Sequence, residues 1–257
     1  MTCALSAVVL TRNEERHLPD CLASIAWADE RLVVDSFSTD RTLLVARAAG
    51  AAVEQRPFKD FAAQRDTALQ LAQGEWVLFV DADERVTPDL RAEIQRLLAQ
   101  PGAAQSEFAG YWIRRRNYIF GAWVRHTGWY PDRQLRLMQR DKARYDAARP
   151  VHELVQLDGK AGELAGHLIH INYESLGEFV AKQRIYAGYG AQQLWAQGVR
   201  ARPHHFVVQP LREWRRRLIG LQGYRDGWRG WLLSSLMAWY TVEVYRNLAA
   251  QSKKAGG

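Results

Sequence analysis

The sequence has few cysteines and no long apolar run, and both shortages narrow the possible classes of protein. Cys3 and Cys21 are its only cysteines, and their spacing matches no metal-binding or redox motif. A buried, reduced pair is therefore expected rather than a disulfide scaffold. No stretch of about 18 uninterrupted apolar residues occurs, so the sequence predicts no membrane-spanning helix.

Two further signals are missing. Residues 1–10 have no basic flank and lead directly into the polar segment Thr11-Arg12-Asn13-Glu14, so we expect no signal peptide and a protein on the cytoplasmic side. The glycine-rich dinucleotide fingerprint and the P-loop motif are both absent. A bound diphosphate would therefore need a metal ion to neutralise much of its charge.

What the sequence has in excess is positive charge. Hydrophobic residues make up 47% and charged residues 25% of the 257 positions, which is ordinary for a folded protein, and the net charge is +7. A basic surface favours anionic partners such as nucleic acid, an acidic membrane, nucleotides or phosphorylated glycans. No recognised nucleic-acid-binding motif accompanies the charge, so nucleic acid is not an expected partner.

Strands and helices alternate through the first hundred residues. Composition and flanking breakers predict strands at 5–10, 31–35, 51–55 and 76–80. Helical spacing with caps and stops predicts helices at 13–28, from Ser38 or Thr39 to Gly50, at 61–72, and from Thr87 onward. This alternation predicts an α/β fold with a mostly parallel sheet and helices on both faces.

Polar residues follow every predicted strand. They are Thr11, Asn13 and Glu14 after the first, Asp35 after the second, Arg56 after the third, and Asp81 and Asp83 after the fourth. Ligands of parallel sheets bind beyond these carboxyl ends. Asp81 and Asp83 can point to the same side and converge on one hard cation, Mg²⁺ or Mn²⁺, although each acid could also be a turn residue or a helix cap.

Three segments carry a family resemblance: VVLTRNEE at 8–15, VVDSFSTD at 33–40, and AQGEW at 72–76 running into DADE at 81–84. In combination they resemble family 2 glycosyltransferases with a GT-A fold, over residues 4–100. Within that family, FAAQRD at 61–66, DADER at 81–85 and PVHE at 150–153 are similar to lipopolysaccharide-core glycosyltransferases that transfer glucose to inner-core heptose.

The resemblance implies a role for each matching residue. Thr11, Asn13 and Glu14 would line the nucleotide pocket, and Asp35 would meet the uracil. Gln64 and Arg65 would lie along the nucleotide and diphosphate, while Asp81 would contact the ribose and Asp83 the metal. Asp66 departs from the family, which commonly has Asn there, so no donor contact is carried over to position 66.

The middle of the chain contains the candidates for acceptor binding and for the catalytic base. After a breaker-rich linker at 101–110, aromatic residues and arginines dominate as far as Tyr130. Aromatic faces suit sugars and arginines suit phosphates, although the same residues could simply pack on an antiparallel strand pair. Arg136 lies in a predicted strand at 135–137, on the face opposite its neighbours, and is a candidate for the acceptor side.

Glu153, in the PVHE motif, is the candidate base. Inverting glycosyl transfer needs a carboxylate near the acceptor hydroxyl to take its proton, and the family resemblance favours this residue. A solvated strand residue is the alternative. His152 could orient that carboxylate or could be a packed or surface histidine, and His167 and His170 have no predicted role.

From about Leu176 the pattern is helical, basic and aromatic. Eight arginines lie between Arg200 and Gly230 against the two acids Glu213 and Asp226. Tryptophans recur in the same region at Trp195, Trp214, Trp228, Trp231 and Trp239. These features predict peripheral contact with an anionic membrane, on the inner face of the cytoplasmic membrane; the alternative is a helical pair that packs on the catalytic core.

Together these observations predict a metal-dependent, inverting hexosyltransferase. By resemblance it moves glucose from UDP-glucose onto a lipopolysaccharide-core or other lipid-linked glycan acceptor. The predicted organisation is a nucleotide-sugar-binding half at 1–100, an acceptor-binding half with the base at 101–175, and a basic helical region at 176–257. The alternatives are a phosphatase with a strand-end D-x-D motif and a non-catalytic membrane or glycan adaptor on the same fold.

Overall fold

The computed structural model describes residues 4–100, 107–145 and 155–255, and two compact units make up the chain. The first unit comprises Met1–Arg115 and Asp132–His170, and the second comprises Arg116–Pro131 and Ile171–Gly257. Cys3, His152 and Glu153 lie outside the described residues. The division into three parts that the sequence suggests stays a prediction.

The first unit begins with the alternation of strands and helices that the sequence predicts. Its elements are β1 (Leu5–Thr11), α1 (Leu18–Ser24), β2 (Glu30–Asp35), α2 (Thr42–Ala48), β3 (Ala52–Gln55), α3 (Phe61–Leu71) and β4 (Trp76–Asp81). The four strands are parallel in the order β3-β2-β1-β4. Thr11 pairs with Asp35 and Leu10 with Asp81, so these strands end at one edge of the sheet.

The first helix is shorter than the predicted 13–28. Asn13 has a left-handed backbone conformation, with φ +58°, which a helix does not tolerate. The amides of Asn13 and Glu14 donate to Ser38 Oγ and Thr42 Oγ1, both at 2.8 Å, rather than entering a helix. The helix therefore starts only at Leu18, where Pro19 occupies an early position that proline suits.

Antiparallel strands complete the sheet of the first unit. The elements after β4 are β5 (Glu84–Val86), α4 (Pro88–Leu98), β6 (Phe108–Ile119), β7 (Ala122–Trp123), β8 (Asp132–Gln139), β9 (Ala143–Tyr145), β10 (Val155–Leu157) and β11 (Lys160–Tyr173), of which the short β7 belongs to the second unit. The strand order is β3-β2-β1-β4-β8-β6-β11-β5, in which β8 is antiparallel to β4 and β6, and β5 is antiparallel to β11. A separate antiparallel pair joins β9 and β10.

Helices cover both faces of this sheet, as predicted. One core cluster combines Ala7 and Val9 of β1 with residues of α1, α2 and α4, such as Leu22, Ala46 and Leu90. The other combines Val8 with residues of α3 that include Ala62, Ala68 and Leu69. Alternate residues of β1 therefore face opposite cores, as strand geometry requires. The predicted α/β class is confirmed. Cys21, on α1, is buried and free.

Gly74 marks a close approach between the chain before β4 and the start of β1. Its amide donates to Ser6 Oγ at 2.7 Å. A Cβ atom at this position would lie 2.5 Å from the Ser6 amide nitrogen, a backbone atom that cannot move aside. Only glycine fits here without separating the strand that carries Asp81 from its neighbour.

The second unit is mainly helical. It contains α5 (Leu176–Ala196), α6 (His205–Arg215), which continues into a π-helical turn at Arg216–Gly220, and the long α7 (Trp228–Ala255). Its core includes Val124, Tyr173, Phe179, Leu233 and Met237. In the described part of the chain, no helix combines the length and the apolar character needed to cross a membrane.

Candidate active site

Asp35 ties together the carboxyl ends of three parallel strands. Its carboxylate accepts hydrogen bonds from Thr11 Oγ1 at 3.1 Å, from Gln55 Nε2 at 3.1 Å and from the Ser38 amide at 2.9 Å. The side chain is fully buried, so these donors replace the water that a carboxylate needs. Thr11 and Asp35, both predicted for the nucleotide pocket, are therefore in direct contact.

The loop after β1 is held against the loop after β2. Asn13 Oδ1 accepts from the amide of Thr39 at 2.8 Å, and the Glu14 amide donates to Thr42 Oγ1 at 2.8 Å. Asn13 lies at the exposed surface of this junction. The side chain of Asn13 therefore fixes the shape of the rim beside the strand ends.

The first turns of α3 send two polar side chains back toward the strand ends. Gln64 Nε2 donates to Ser36 Oγ at 2.7 Å, and Arg65 Nη2 lies 3.2 Å from Asp81 Oδ1. The Arg65 guanidinium also lies 5.2 Å from the centre of the Phe79 ring, within the range of a cation–π contact. Gln64 thus joins the end of β2, and Arg65 joins the end of β4.

Asp81 belongs to a buried ion cluster that sequence reasoning did not foresee as a unit. Arg136 of β8 contacts both carboxylate oxygens of Asp81, with Nη1 3.0 Å from Oδ1, and its Nη2 lies 3.0 Å from Glu84 Oε1. Arg115 Nη1 lies 3.2 Å from the same Glu84 oxygen. The Asp81 amide donates to Glu84 Oε2 at 2.9 Å, which closes the cluster.

The charges of this cluster hold one another ionised. Burial alone would raise the pKa of the Asp81 carboxyl, but the guanidinium groups of Arg136 and Arg65 outweigh burial and hold that pKa well below its usual range. Burial alone would lower the pKa of the Arg136 guanidinium. The carboxylates of Asp81 and Glu84 outweigh burial and raise this pKa. Glu84 is 0% exposed and the Arg136 side chain 4%, whereas Asp81 keeps 34% of its side chain exposed. Asp81 is therefore a fixed anion with one open side.

Asp83, between Asp81 and Glu84 in the chain, pairs with a histidine. His170 Nε2, on β11, lies 3.3 Å from Asp83 Oδ2. The pairing of β11 with β5 sets His170 opposite Glu84 in the sheet, one residue along the chain from Asp83. No group of three or more histidine, cysteine or acidic side chains suited to a metal occurs among the residues the structure describes.

A divalent cation fits this arrangement on one condition. Both oxygens of Asp81 already contact guanidinium groups, so the side chains of Asp83 and His170 are better able to approach a cation. Mg²⁺ in nucleotide enzymes usually takes one or two protein carboxylates and completes its shell with phosphate oxygens and water. The residues present fit such an ion when a diphosphate supplies the remaining ligands.

Sequence reasoning missed His170, Glu84 and Arg115 as members of this region. His170 shares the buried side of β11 with Leu168, so strand alternation offered a signal that its side chain faces inward. Nothing local indicates that β11 pairs with β5, and that pairing brings His170 to Asp83. His152 and Glu153, predicted for the base, lie outside the described residues.

Comparison with known proteins assigns the family. A family model described as "Glycosyl transferase family 2" matches residues 6–150. The chain belongs to that family. This family 2 enzyme is 30% identical to the lipopolysaccharide core biosynthesis glycosyltransferase LpsC of Rhizobium meliloti, over 97% of this chain and 94% of the relative. It is 28% identical to an uncharacterized glycosyltransferase of Rickettsia bellii, over 77% of this chain and 70% of that one.

Solved structures similar to this family 2 enzyme are more distant. Staphylococcus aureus TarS 1-349 aligns with a TM-score of 0.49 and 16% identity, over 99% of this chain and 92% of that one. Mycobacterium tuberculosis glucosyl-3-phosphoglycerate synthase, in complex with Mn²⁺, UDP and phosphoglyceric acid, aligns with a TM-score of 0.44 and 20% identity, over 72% of this chain and 76% of that one. Likeness at this level transfers neither ligands nor residue roles.

The family match confirms three predictions from the sequence: the GT-A type fold, the glycosyltransferase activity, and the resemblance to lipopolysaccharide-core enzymes of family 2. The roles of individual residues are not settled by family membership. They stay predictions.

Proposed function

We propose that this glycosyltransferase is metal-dependent and inverting, and that it moves glucose from UDP-glucose onto a lipopolysaccharide-core or other lipid-linked glycan acceptor. One observation carries the proposal: β2 and β4, the parallel strands on either side of β1, bring the buried Asp35 and the anchored Asp81 to one edge of the sheet, and Asp83, paired with His170, follows Asp81 by two residues. The similarity to LpsC supports the choice of acceptor class.

In this proposal the nucleotide lies across the strand ends. Thr11, Asn13 and Glu14 line its pocket, Asp35 serves the uracil, and Gln64 lies along the nucleotide. The hydrogen bonds that fix Asp35 and Asn13 leave these groups little freedom, so binding loses little conformational entropy. Asp81, held by Arg136, accepts from the ribose hydroxyls on its exposed side.

The diphosphate lies toward Arg65 and Asp83. Asp83, with His170 beside it, would hold Mg²⁺ or Mn²⁺, and the bound ion would act as a Lewis acid that offsets the charge of the leaving diphosphate. Arg65 contributes a positive charge that is already oriented by Asp81 and by the Phe79 ring. Charge that develops on the leaving group thus meets preorganised positive groups.

The acceptor hydroxyl loses its proton to Glu153 in this proposal. Inverting transfer proceeds through an oxocarbenium-like transition state, with the acceptor oxygen attacking the face opposite the leaving group, so one carboxylate is needed on the acceptor side. His152 would orient Glu153. The support for both residues is the PVHE motif at 150–153.

A lipid-linked acceptor would bring the enzyme to a membrane. We therefore include peripheral attachment to the inner face of the cytoplasmic membrane in the proposal, supported by the basic and aromatic helices of the second unit. The phosphatase alternative is disfavoured because both oxygens of Asp81 contact guanidinium groups, which makes this carboxylate a poor nucleophile. The adaptor alternative gives no reason for the pairing of Asp83 with His170.

The test measures UDP release from UDP-glucose and from other nucleotide sugars, with and without heptose-terminated lipopolysaccharide core. Phosphate release from a generic phosphoester is followed in parallel. The proposal predicts acceptor-stimulated UDP release that requires a divalent ion and is greatest with UDP-glucose. Release of phosphate without UDP would favour a phosphatase. The absence of both products would favour an adaptor, and either outcome would overturn the proposal.

A further inference from the structure

Helix α6 exposes apolar side chains on its outer side. Val207, Val208 and Leu211 are 68%, 51% and 63% exposed, and Ile219, in the turn that follows, is 56% exposed. These four residues line one surface groove together with Arg212 and Arg215. We refer to these six residues as the outer face of α6.

Other side chains of α6 already pack on α7. The ring of Phe206 lies 6.4 Å from that of Tyr245, and Trp214 lies 5.9 Å from Trp231, centre to centre. Trp214 Nε1 also donates to Ser235 Oγ at 3.3 Å. The helix therefore has an apolar outer side that its packing within the second unit does not require, and contiguous exposed apolar surface usually marks an interaction site.

The charge around this face is positive and uncompensated. Neither Arg212 nor Arg215 forms an ion pair with any residue that the structure describes. The nearby acid Glu213 forms ion pairs with Arg216 and Arg217, with nitrogen–oxygen distances of 2.8 and 2.6 Å. Asp226, the other acid between positions 200 and 230, accepts from the amide of His126 at 2.9 Å and from Thr127 Oγ1 at 2.9 Å.

We propose that the outer face of α6 docks on an anionic lipid bilayer, with the apolar side chains in the interface and Arg212 and Arg215 on lipid phosphates. An amphipathic helix with arginine beside aliphatic residues binds such surfaces in two ways: its apolar side chains are buried in the interface, and its arginines are attracted to the anionic lipids. A second copy of the chain is a poorer occupant, because a symmetric contact would bring the same arginines face to face. The biological reason for docking rests on the proposed lipid-linked acceptor, whereas the docking itself does not.

The test is sedimentation of the full chain with vesicles of phosphatidylcholine, with and without phosphatidylglycerol. We expect binding only when phosphatidylglycerol is present. Arg212→Gln with Arg215→Gln should weaken partitioning into the vesicles roughly 30-fold, because each basic residue near an anionic surface contributes a similar free energy of binding and two such residues are removed. Val207→Ser with Leu211→Asn should weaken it at least about tenfold, and this loss should persist in high salt.

Matched controls lie on the first unit. Arg47→Gln with Arg96→Gln removes two exposed arginines, and Leu44→Asn removes an exposed leucine, from other helices. The proposal is overturned if the wild type ignores phosphatidylglycerol vesicles, if the controls lose as much binding as the α6 variants, or if the α6 variants convert a dimer into a monomer in sedimentation velocity. Thermal unfolding verifies that every variant is folded.

Failure of this inference can be told apart from failure of the proposed function. UDP binding by calorimetry, measured on the same α6 variants in the absence of lipid, should equal that of the wild type. Loss of vesicle binding with normal UDP binding then concerns docking alone. A wild type that binds vesicles and does not bind UDP would refute the proposed function and leave the docking surface in place.

Discussion

Replacing Arg136 with leucine removes the centre of the buried ion cluster and puts an apolar side chain in its place on β8. Removing one partner of a buried ion pair costs about 3–5 kcal/mol, because the remaining charge is left without compensation. Glu84 would keep Arg115 at 3.2 Å and the Asp81 amide at 2.9 Å, and Asp81 would keep Arg65. We therefore expect the lower end, a loss of about 3 kcal/mol in the stability of the first unit.

Hydrogen exchange of the β4 and β8 amides measures this loss locally, which matters because the chain has two units that need not unfold together. Arg133→Gln is the control: Arg133 lies on the same strand, is 53% exposed, and pairs with Glu163 at 3.0 Å. It should cost less than about 1 kcal/mol. Arg136→Lys keeps the charge and loses the fork of donors, so it should fall between the two.

The reasoning would be refuted if Arg136→Leu cost no more than Arg133→Gln. UDP affinity gives an independent check, since Asp81 would lose two of its three guanidinium contacts and keep only that of Arg65. We expect weaker UDP binding in Arg136→Leu and unchanged binding in Arg133→Gln. Equal UDP affinity in both variants would contradict the role of Arg136 in positioning Asp81.

Three further predictions concern other parts of the chain. Glu153→Gln should abolish transfer and leave UDP binding nearly intact, and an active variant in the UDP-release assay would eliminate Glu153 as the base. Gly74→Ala should lower the midpoint of thermal unfolding, because its Cβ would lie 2.5 Å from the Ser6 amide; an unchanged midpoint would contradict the close approach. Burial raises the pKa of Glu213, but hydrogen bonds from Arg216 and Arg217 outweigh it and lower that pKa, so the pairing stabilises the protein above the unfolded-state pKa and is lost as the pH falls through the folded-state value. Chemical denaturation should therefore give wild type an advantage of about 1 kcal/mol over Glu213→Gln at neutral pH, and this advantage should be lost as the pH falls through the folded-state pKa; a constant difference would count against this account.

The N-terminal fold could be predicted because its signals are local. Short β-branched runs, caps such as Thr87 and stops such as Gly74 fix strands and helices without reference to distant residues. Parallel pairing follows from the alternation itself, and it brings Thr11, Asp35 and Asp81 to one edge. That much of the site was therefore accessible from the sequence.

The remainder depends on pairings that no local pattern specifies. His170 meets Asp83 only because β11 lies against β5, and Arg136 meets Asp81 only because β8 adds to β4 in antiparallel register. The first helix was overestimated for a related reason. Asn13 and Glu14 look helical in isolation, yet their amides bond to Ser38 and Thr42 from another loop.

The most direct test of the whole account is a calorimetric titration of UDP into the wild type and into Asp83→Asn, in excess Mn²⁺ or Mg²⁺ and in excess EDTA. We expect the wild type to bind UDP more weakly in EDTA by roughly two orders of magnitude, and Asp83→Asn to bind weakly in both conditions. Equal affinity of the wild type with and without the metal, or a metal effect that survives in Asp83→Asn, would contradict a cation held at the end of β4.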